Sequence, residues 1–199
     1  MATPRRSDTR RDEIVATAAR LFEERGYHNT TMDDIAEAMG IRKPTLYHYV
    51  EGKGQVLFWI HDRLITKFMI RIRDRLDRGL SPSECLHAVM EDIFETLDSE
   101  PGHLRVYFEH HREIPERYQA EARARRDEYF RIVRGLIEEG VKQGEFVVDD
   151  VDMATLALFG MCNWAYQWYR PGGRLAPHEI AAMFWRIYAN GIQAKPALA

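Results

Sequence analysis

"TTMDDIAEAMGIRKPTLYHYV", Thr30 to Val50, holds the start, stop and restart of two short helices. Thr31, with Asp34 three residues on, is an N-cap whose carboxylate partner is placed to return the bond. Met32, Ile35, Ala36 and Met39 then form one inward stripe before Gly40 stops the helix. After a turn of about three or four residues, Pro44 suits the first turn of the next helix, where its missing N–H would have no partner. Leu46 and Val50 lie four apart and face inward, which leaves Thr45, Tyr47 and His48 to point elsewhere. Tyr49 fits either side.

Upstream, Ile14, Val15, Ala18, Leu21 and Phe22 recur at helical spacing from Asp12 to Phe22, with Thr9 and Asp12 as a capping-box-like start and Gly26 as the stop. Downstream, "EGKG" breaks the chain and a long helix is predicted from about Gln55 to Arg78. Leu57, Ile60, Leu64, Phe68, Ile72 and Leu76 line its inner side. Arg63, Lys67, Arg71 and Arg75 on its other side read as a solvated face. Ser81-Pro82-Ser83-Glu84 is a capping box with Pro at N1, opening a helix to about Asp98. Pro101 can begin another and Pro115 a long one running to the break at Gly144. Asp149 or Asp150 caps a helix that ends at "RPGG", and Pro177 starts the last, to about Ile192. No alternating segment competes except the short "EFVV" near Phe146. The fold class is all-α, about nine helices.

The composition agrees with a folded protein: 199 residues, 45% hydrophobic and 30% charged. No apolar run is long enough to span a bilayer and "MATPRRSDTRRDEI" lacks the apolar core of a secretion signal, so a cytoplasmic protein with no membrane partner is expected. Cys85 and Cys162 are far apart and outside any CxxC spacing, and read as small buried apolar residues. The formal charge of −3 argues against coating nucleic acid through bulk positive charge. Residues 1–53 hold nine Lys/Arg and nine Asp/Glu, so DNA binding has to use a local basic face.

A short helix, a glycine-led turn and a second short helix with a hydroxylated outer face is the layout of a DNA-binding helix-turn-helix. Arg42, Lys43, Thr45, Tyr47 and His48 can donate to phosphate oxygens or reach base edges. Lys53 adds a cation where helix N–H groups already favour an anion. Arg5, Arg6, Arg10 and Arg11 read either as an arm reaching into the minor groove or as a disordered basic tail.

At this point the stretch "ARLFEERGYHNTTMDDIAEAMGIRKPTLYHYVEGK", Ala19 to Lys53, resembles the TetR family of one-component transcriptional repressors. The resemblance implies a homodimer that places two N-terminal readers in successive major grooves of a palindromic double-stranded DNA operator, and a C-terminal half that binds a small effector. It divides the chain into a DNA-binding domain, 1–53, and a ligand-binding and dimerisation domain, 54–199. By position it makes Thr30, Lys43, Tyr47, His48 and Lys53 phosphate contacts, and Arg42 and Thr45 base contacts. The chain departs from the family pattern at Arg42, where a small hydroxyl residue often caps the third helix, and at Gly54, where a polar residue is common.

Beyond the reader there are more bulky aromatics than a dimerising surface requires. A subset of them, Phe94, Tyr107, Phe108, Tyr129, Trp164 and Trp168, with His111, forms a candidate pocket lining for an apolar effector; otherwise they are core. "WAYQWYRPGGRLAPHEIAAMF", Trp164 to Phe184, resembles TetR-type regulators of fatty-acid and sterol catabolism that respond to acyl-CoA thioesters. That implies an acyl-CoA-type effector and no cofactor. Leu158, Met161, Cys162, Ala165, Ile180, Met183, Phe184 and Ile187 in the last two helices imply, by the same resemblance, a four-helix dimer interface, or are intrachain core.

Two other classes compete. "FEHHREIPE", Phe108 to Glu116, holds Glu109, His110, His111 and Glu113, but adjacent histidines on a helix diverge by about 100° and cannot face one metal. With no HExxH, GxSxG or P-loop, no catalytic and no metal-ligating residues are assigned, and a metal-dependent enzyme stands as the alternative beside a dimeric scaffold without DNA binding.

Overall fold

A computed structural model describes residues 6–100 and 102–192, so Arg5 and Pro101 lie outside the described residues. Their only regular elements are helices joined by turns, with a lone bridge position at Phe146 and no strand among the described residues. The helices are α1 (Arg6–Arg25), α2 (Met32–Ala38), α3 (Lys43–Tyr47), α4 (Lys53–Asp77), α5 (Pro82–Ser99), α6 (His103–His110), α7 (Glu116–Lys142), α8 (Val151–Asn163), α9 (Ala165–Trp168) and α10 (Pro177–Ile192), with a 3-10 turn at His111–Glu113. The chain divides into two compact units, Met1–Leu64 with Glu100–Ala124, and Ile65–Ser99 with Arg125–Ala199.

In the first unit the apolar stripes of α1, α2 and α3 share one core with the start of α4: Ile14, Ala18, Ile35, Leu46 and Ile60 are fully buried. The same core includes Val106, Ile114 and Ala122, far along the sequence, and Phe58 stacks on Tyr118 at 4.6 Å between centroids. Gly54 belongs to this packing, since a Cβ there would lie 2.5 Å from Pro115 Cγ. The departure from the family pattern therefore makes room for a packed proline.

α1 begins earlier than the spacing suggests. Thr9, Arg10 and Arg11 lie within it, so Thr9 is not its cap and Arg10 and Arg11 are not a free arm. Arg11 is anchored inward, 3.0 Å from Asp62 and over the Trp59 ring, and Arg10 pairs with Glu13 at 2.6 Å.

In the second unit α5 packs against α10, and Phe94, fully buried, meets Phe184 edge-on at 5.2 Å and Trp168 at 6.2 Å. Ser81 and Glu84 form the expected capping box at 2.8 and 3.2 Å, and the Asp150 carboxylate accepts from Asp152 and Met153 N–H. The basic side of α4 is not a solvated face in this unit. Arg71 and Arg75 converge on Asp92 of α5 at 2.7 and 2.5 Å, Arg71 also bonds Glu95, and Lys67 donates to Thr96. The Asp92 side chain is only 3% exposed. A carboxylate so deprived of water has to be matched by cations, and two arginines one helical turn apart do that. Leu76, at the end of the inward row, is 42% exposed, where the helix frays into the turn at Gly79.

Candidate nucleic-acid interface and effector pocket

The reader is built from backbone bonds upward. Thr31 Oγ1 accepts from the Asp34 N–H at 3.2 Å while the Asp34 carboxylate accepts from the Thr31 N–H at 2.7 Å, so both orphan donors at the start of α2 are satisfied. The Thr31 hydroxyl, which also donates to that carboxylate at 2.6 Å, and the Thr31 N–H hold the Asp34 carboxyl below the usual carboxylate range. At the other end Gly40 takes φ +65°, a left-handed turn that costs glycine nothing, and the Ile41 N–H returns to the Ala36 carbonyl at 3.0 Å.

This tight turn delivers α3 with Pro44 in its first turn and Arg42 as N-cap. Arg42, whose guanidinium has no acceptor with which to cap helix N–H groups, makes no side-chain cap bond and is exposed. Leu46 and Val50 are buried, at 0% and 2%, and seal the helix onto the core. Arg42, Lys43, Thr45, Tyr47, His48 and Tyr49 all face solvent, Tyr47 being 45% and Tyr49 42% exposed. The open position of Tyr49 is thereby settled outward, with Arg10 6.0 Å from its ring centroid. Lys43 lies 2.9 Å from Asp33, and that bond raises its pKa.

Two residues of the expected contact set turn inward. Thr30 is fully buried, and its hydroxyl proton is shared between the carbonyls of Gly26, 2.9 Å away, and Leu21, 3.2 Å away. It closes the α1–α2 turn and offers no hydroxyl to a phosphate. The Lys53 ammonium points back at the same turn, donating to the carbonyls of Tyr27 at 2.7 Å, Thr30 at 3.0 Å and His28 at 3.4 Å, and lying 4.3 Å from the Tyr27 ring centroid. Desolvation lowers its pKa, with the nearby Glu113 charge opposing the shift. Lys53, expected at a phosphate, instead fills a cradle of carbonyls more than twenty positions upstream.

The aromatics expected to line one pocket are divided between the two units. Tyr107, Phe108 and His111 belong to the first unit, where Tyr107 stacks on His61 at 4.8 Å and His111 Nδ1 meets the Phe108 carbonyl. Phe94, Tyr129, Trp164 and Trp168 belong to the second. There Tyr129 is core, packed on Phe68 and Phe159, and Trp164 is 62% exposed. Trp168 forms the wall of a recess of about 200 Å³ that it shares with Tyr169, Arg170, Gly173, Arg174, Leu175 and Ile180. Tyr169, whose hydroxyl donates to Asp98 at 2.7 Å, fixes one side of it, and burial followed by that carboxylate pushes its pKa up to about 12.

The last helices divide into two faces. Leu158, Cys162, Ala165 and Ile180 are intrachain core, and burial pushes the Cys162 thiol up to about 12, which leaves it an inert apolar group. Met153, Leu156, Trp164, Met183 and Ile187 are 39–65% exposed. Met153, Leu156, Gly160 and Trp164 follow one another at three- and four-residue steps, so they form one stripe along α8.

The sequence and the fold were compared with known proteins. Residues 14–58 match the family described as "Bacterial regulatory proteins, tetR family", and residues 79–192 match "Tetracyclin repressor-like, C-terminal domain". The chain is 31% identical to the HTH-type transcriptional repressor KstR2 of Rhodococcus jostii over 96% of its length and 98% of the relative's. The solved ketosteroid transcriptional regulator KstR2 of Mycobacterium tuberculosis superposes with a TM-score of 0.83 at 26% identity, covering 94% of this chain and 96% of that one. AibR, solved in complex with isovaleryl coenzyme A and operator DNA, superposes with a TM-score of 0.79 at 28% identity over 89% of this chain and 97% of that one.

Proposed function

Since this chain belongs to the TetR family of bacterial transcriptional regulators, we propose that it represses transcription as a homodimer on a palindromic operator and leaves that operator when a small effector binds. It is a DNA-binding regulator, not an enzyme, because the relatives that match along its whole length are transcriptional repressors. The observation that carries the operator reading is the exposed face of α3, where Arg42, Lys43, Thr45, Tyr47 and His48 stand clear of the core that Leu46 and Val50 enter. Arg42 and Thr45 are the base readers, and Lys43, Tyr47 and His48 hold phosphates. Thr30 and Lys53 position the reader from behind.

Two readers on one palindrome need a twofold partner spaced at about one turn of duplex, roughly 34 Å. The exposed apolar residues Met153 and Leu156 on α8 and Trp164 at its C-cap, with Met183 and Ile187 on α10, support such a pairing, because exposed apolar side chains in this number are unfavourable in water.

The effector is an acyl-CoA-type thioester. Its support is the likeness to AibR and a recess that sets Trp168 and Ile180 beside two arginines, apolar surface for a chain and cations for a polyanionic head. Effector and operator oppose one another by linkage, through a shift of the long helix α4.

The test starts from genomic fragments selected by the purified protein. On a selected operator, Tyr47→Ala should weaken binding by about tenfold or more with its salt dependence little changed, and with the fold and dimer intact. Ile187→Glu should yield a monomer by light scattering. Acyl-CoA thioesters of increasing chain length should release the DNA in a mobility-shift assay. Unchanged operator affinity in Tyr47→Ala would remove the α3 assignment, and release by another ligand class alone would remove the thioester.

A further inference from the structure

The histidines of "FEHHREIPE" diverge as expected, but the fold supplies a partner from elsewhere. His28, in the α1–α2 turn, brings Nε2 to 3.2 Å from Glu113 Oε1, and His110, at the end of α6, brings Nδ1 to 2.8 Å from the same oxygen. One donor atom from each of the three lies within 4.8 Å of the others, which makes this a grouping of metal-ligand type among the described residues. We propose that His28, His110 and Glu113 form a binding site for a divalent transition-metal ion of the zinc type, which clamps the α1–α2 turn of the DNA reader to the end of α6.

The donor set and spacing support it. Two imidazoles and one carboxylate are a zinc donor set, and a tetrahedral ion with bonds of about 2.0–2.2 Å sets its ligand atoms about 3.3–3.5 Å apart. Both imidazole nitrogens already converge on one carboxylate oxygen at slightly less than that separation, so retreat of the Glu113 carboxylate by about half an ångström opens the ion's position. The His28 side chain is 70% exposed, which leaves a face for water as a fourth ligand. The rings are oriented by packing: Tyr27 lies 5.3 Å from His28 and 4.9 Å from His110 between centroids, and the two imidazoles meet at 86°. His111 does not belong to this grouping, and its Nδ1 meets the Phe108 carbonyl at 3.1 Å. The Lys53 ammonium, close enough to feel the Glu113 charge, is the neighbouring cation that opposes a bound metal ion.

The test is titration of the full-length protein with Zn²⁺ by calorimetry and with Co²⁺ by its visible absorption, alongside thermal unfolding. One ion per chain is expected, with the intense absorption of tetrahedral Co²⁺ and a rise in Tm of about 5 °C at saturating Zn²⁺. His28→Gln, His110→Ala and Glu113→Gln should each weaken binding by about tenfold or more, and His111→Ala should leave it unchanged. His28→Gln lies on an exposed turn and keeps the fold, so it carries the test should His110→Ala lower the metal-free Tm. Absence of saturable binding in the micromolar range, or binding undiminished in His28→Gln, would overturn the site.

Discussion

The two compact units use their cations in opposite ways. In the first, Arg42 and Lys43 stand on an exposed face beside Thr45, Tyr47 and His48, where a polyanion can reach them. In the second, Arg71 and Arg75 close on a buried Asp92 that already occupies them. A surface cation gains little from a neighbour in water and is available for a phosphate; a cation beside a desolvated carboxylate is fixed by the cost of leaving that carboxylate unpaired. Lys53 belongs with the second kind although it lies in the first unit, since its ammonium is held by main-chain carbonyls. Position in the motif therefore does not decide whether a basic residue reads DNA or builds the reader.

The contrast breaks most visibly at Asp92. Asp92→Ala leaves the half-buried Arg75 without its carboxylate and Arg71 with Glu95 alone, and should cost about 3–5 kcal/mol in urea unfolding. A cost below about 1 kcal/mol would mean that the cluster behaves as a surface salt bridge.

Thr30→Val is the next largest effect. It removes the donor shared by two buried carbonyls and should lower stability by about 1–2 kcal/mol, while operator affinity, corrected for the folded fraction, stays within about twofold. Thr45→Val should do the reverse, weakening operator binding with stability unchanged within about 0.5 kcal/mol. A Thr30 variant that loses DNA without losing stability would return this residue to the contact surface.

The smallest effect is a pH dependence. The Arg71 guanidinium holds the Glu95 carboxyl below the usual range, so its stabilising contribution is present in full above the unfolded-state value of about 4.3 and is lost as the pH falls through the lower folded value. Thermal melts of the wild type and Glu95→Gln should therefore differ at neutral pH and converge below about pH 4. A constant gap across that range would detach Glu95 from the cluster.

What the sequence made legible were local signals. The capping boxes at Thr31 and Ser81, the glycine stop at Gly40, Pro44 and Pro177 in first turns and the Asp150 cap all lie within a few residues of what they control, and all appear where their spacing puts them. The outward face of α3 was legible for the same reason, as the complement of Leu46 and Val50. Thr9 misled because a helix with sound propensity continues through a possible cap when nothing stops it upstream.

Partners distant in sequence were not legible. No periodicity in α4 distinguishes an arginine that meets water from one that meets Asp92, because the deciding atom is on another helix. Nor does spacing join His28 to His110 and Glu113, or divide seven pocket candidates between two units. The chain by itself determined the helices, their order and the exposed reading face, since hydrogen bonds within a turn and a 3.6-residue period are properties of neighbours. The tertiary structure alone decided which polar side chains remain free, because desolvation and ion pairing depend on what the fold brings within about 4 Å.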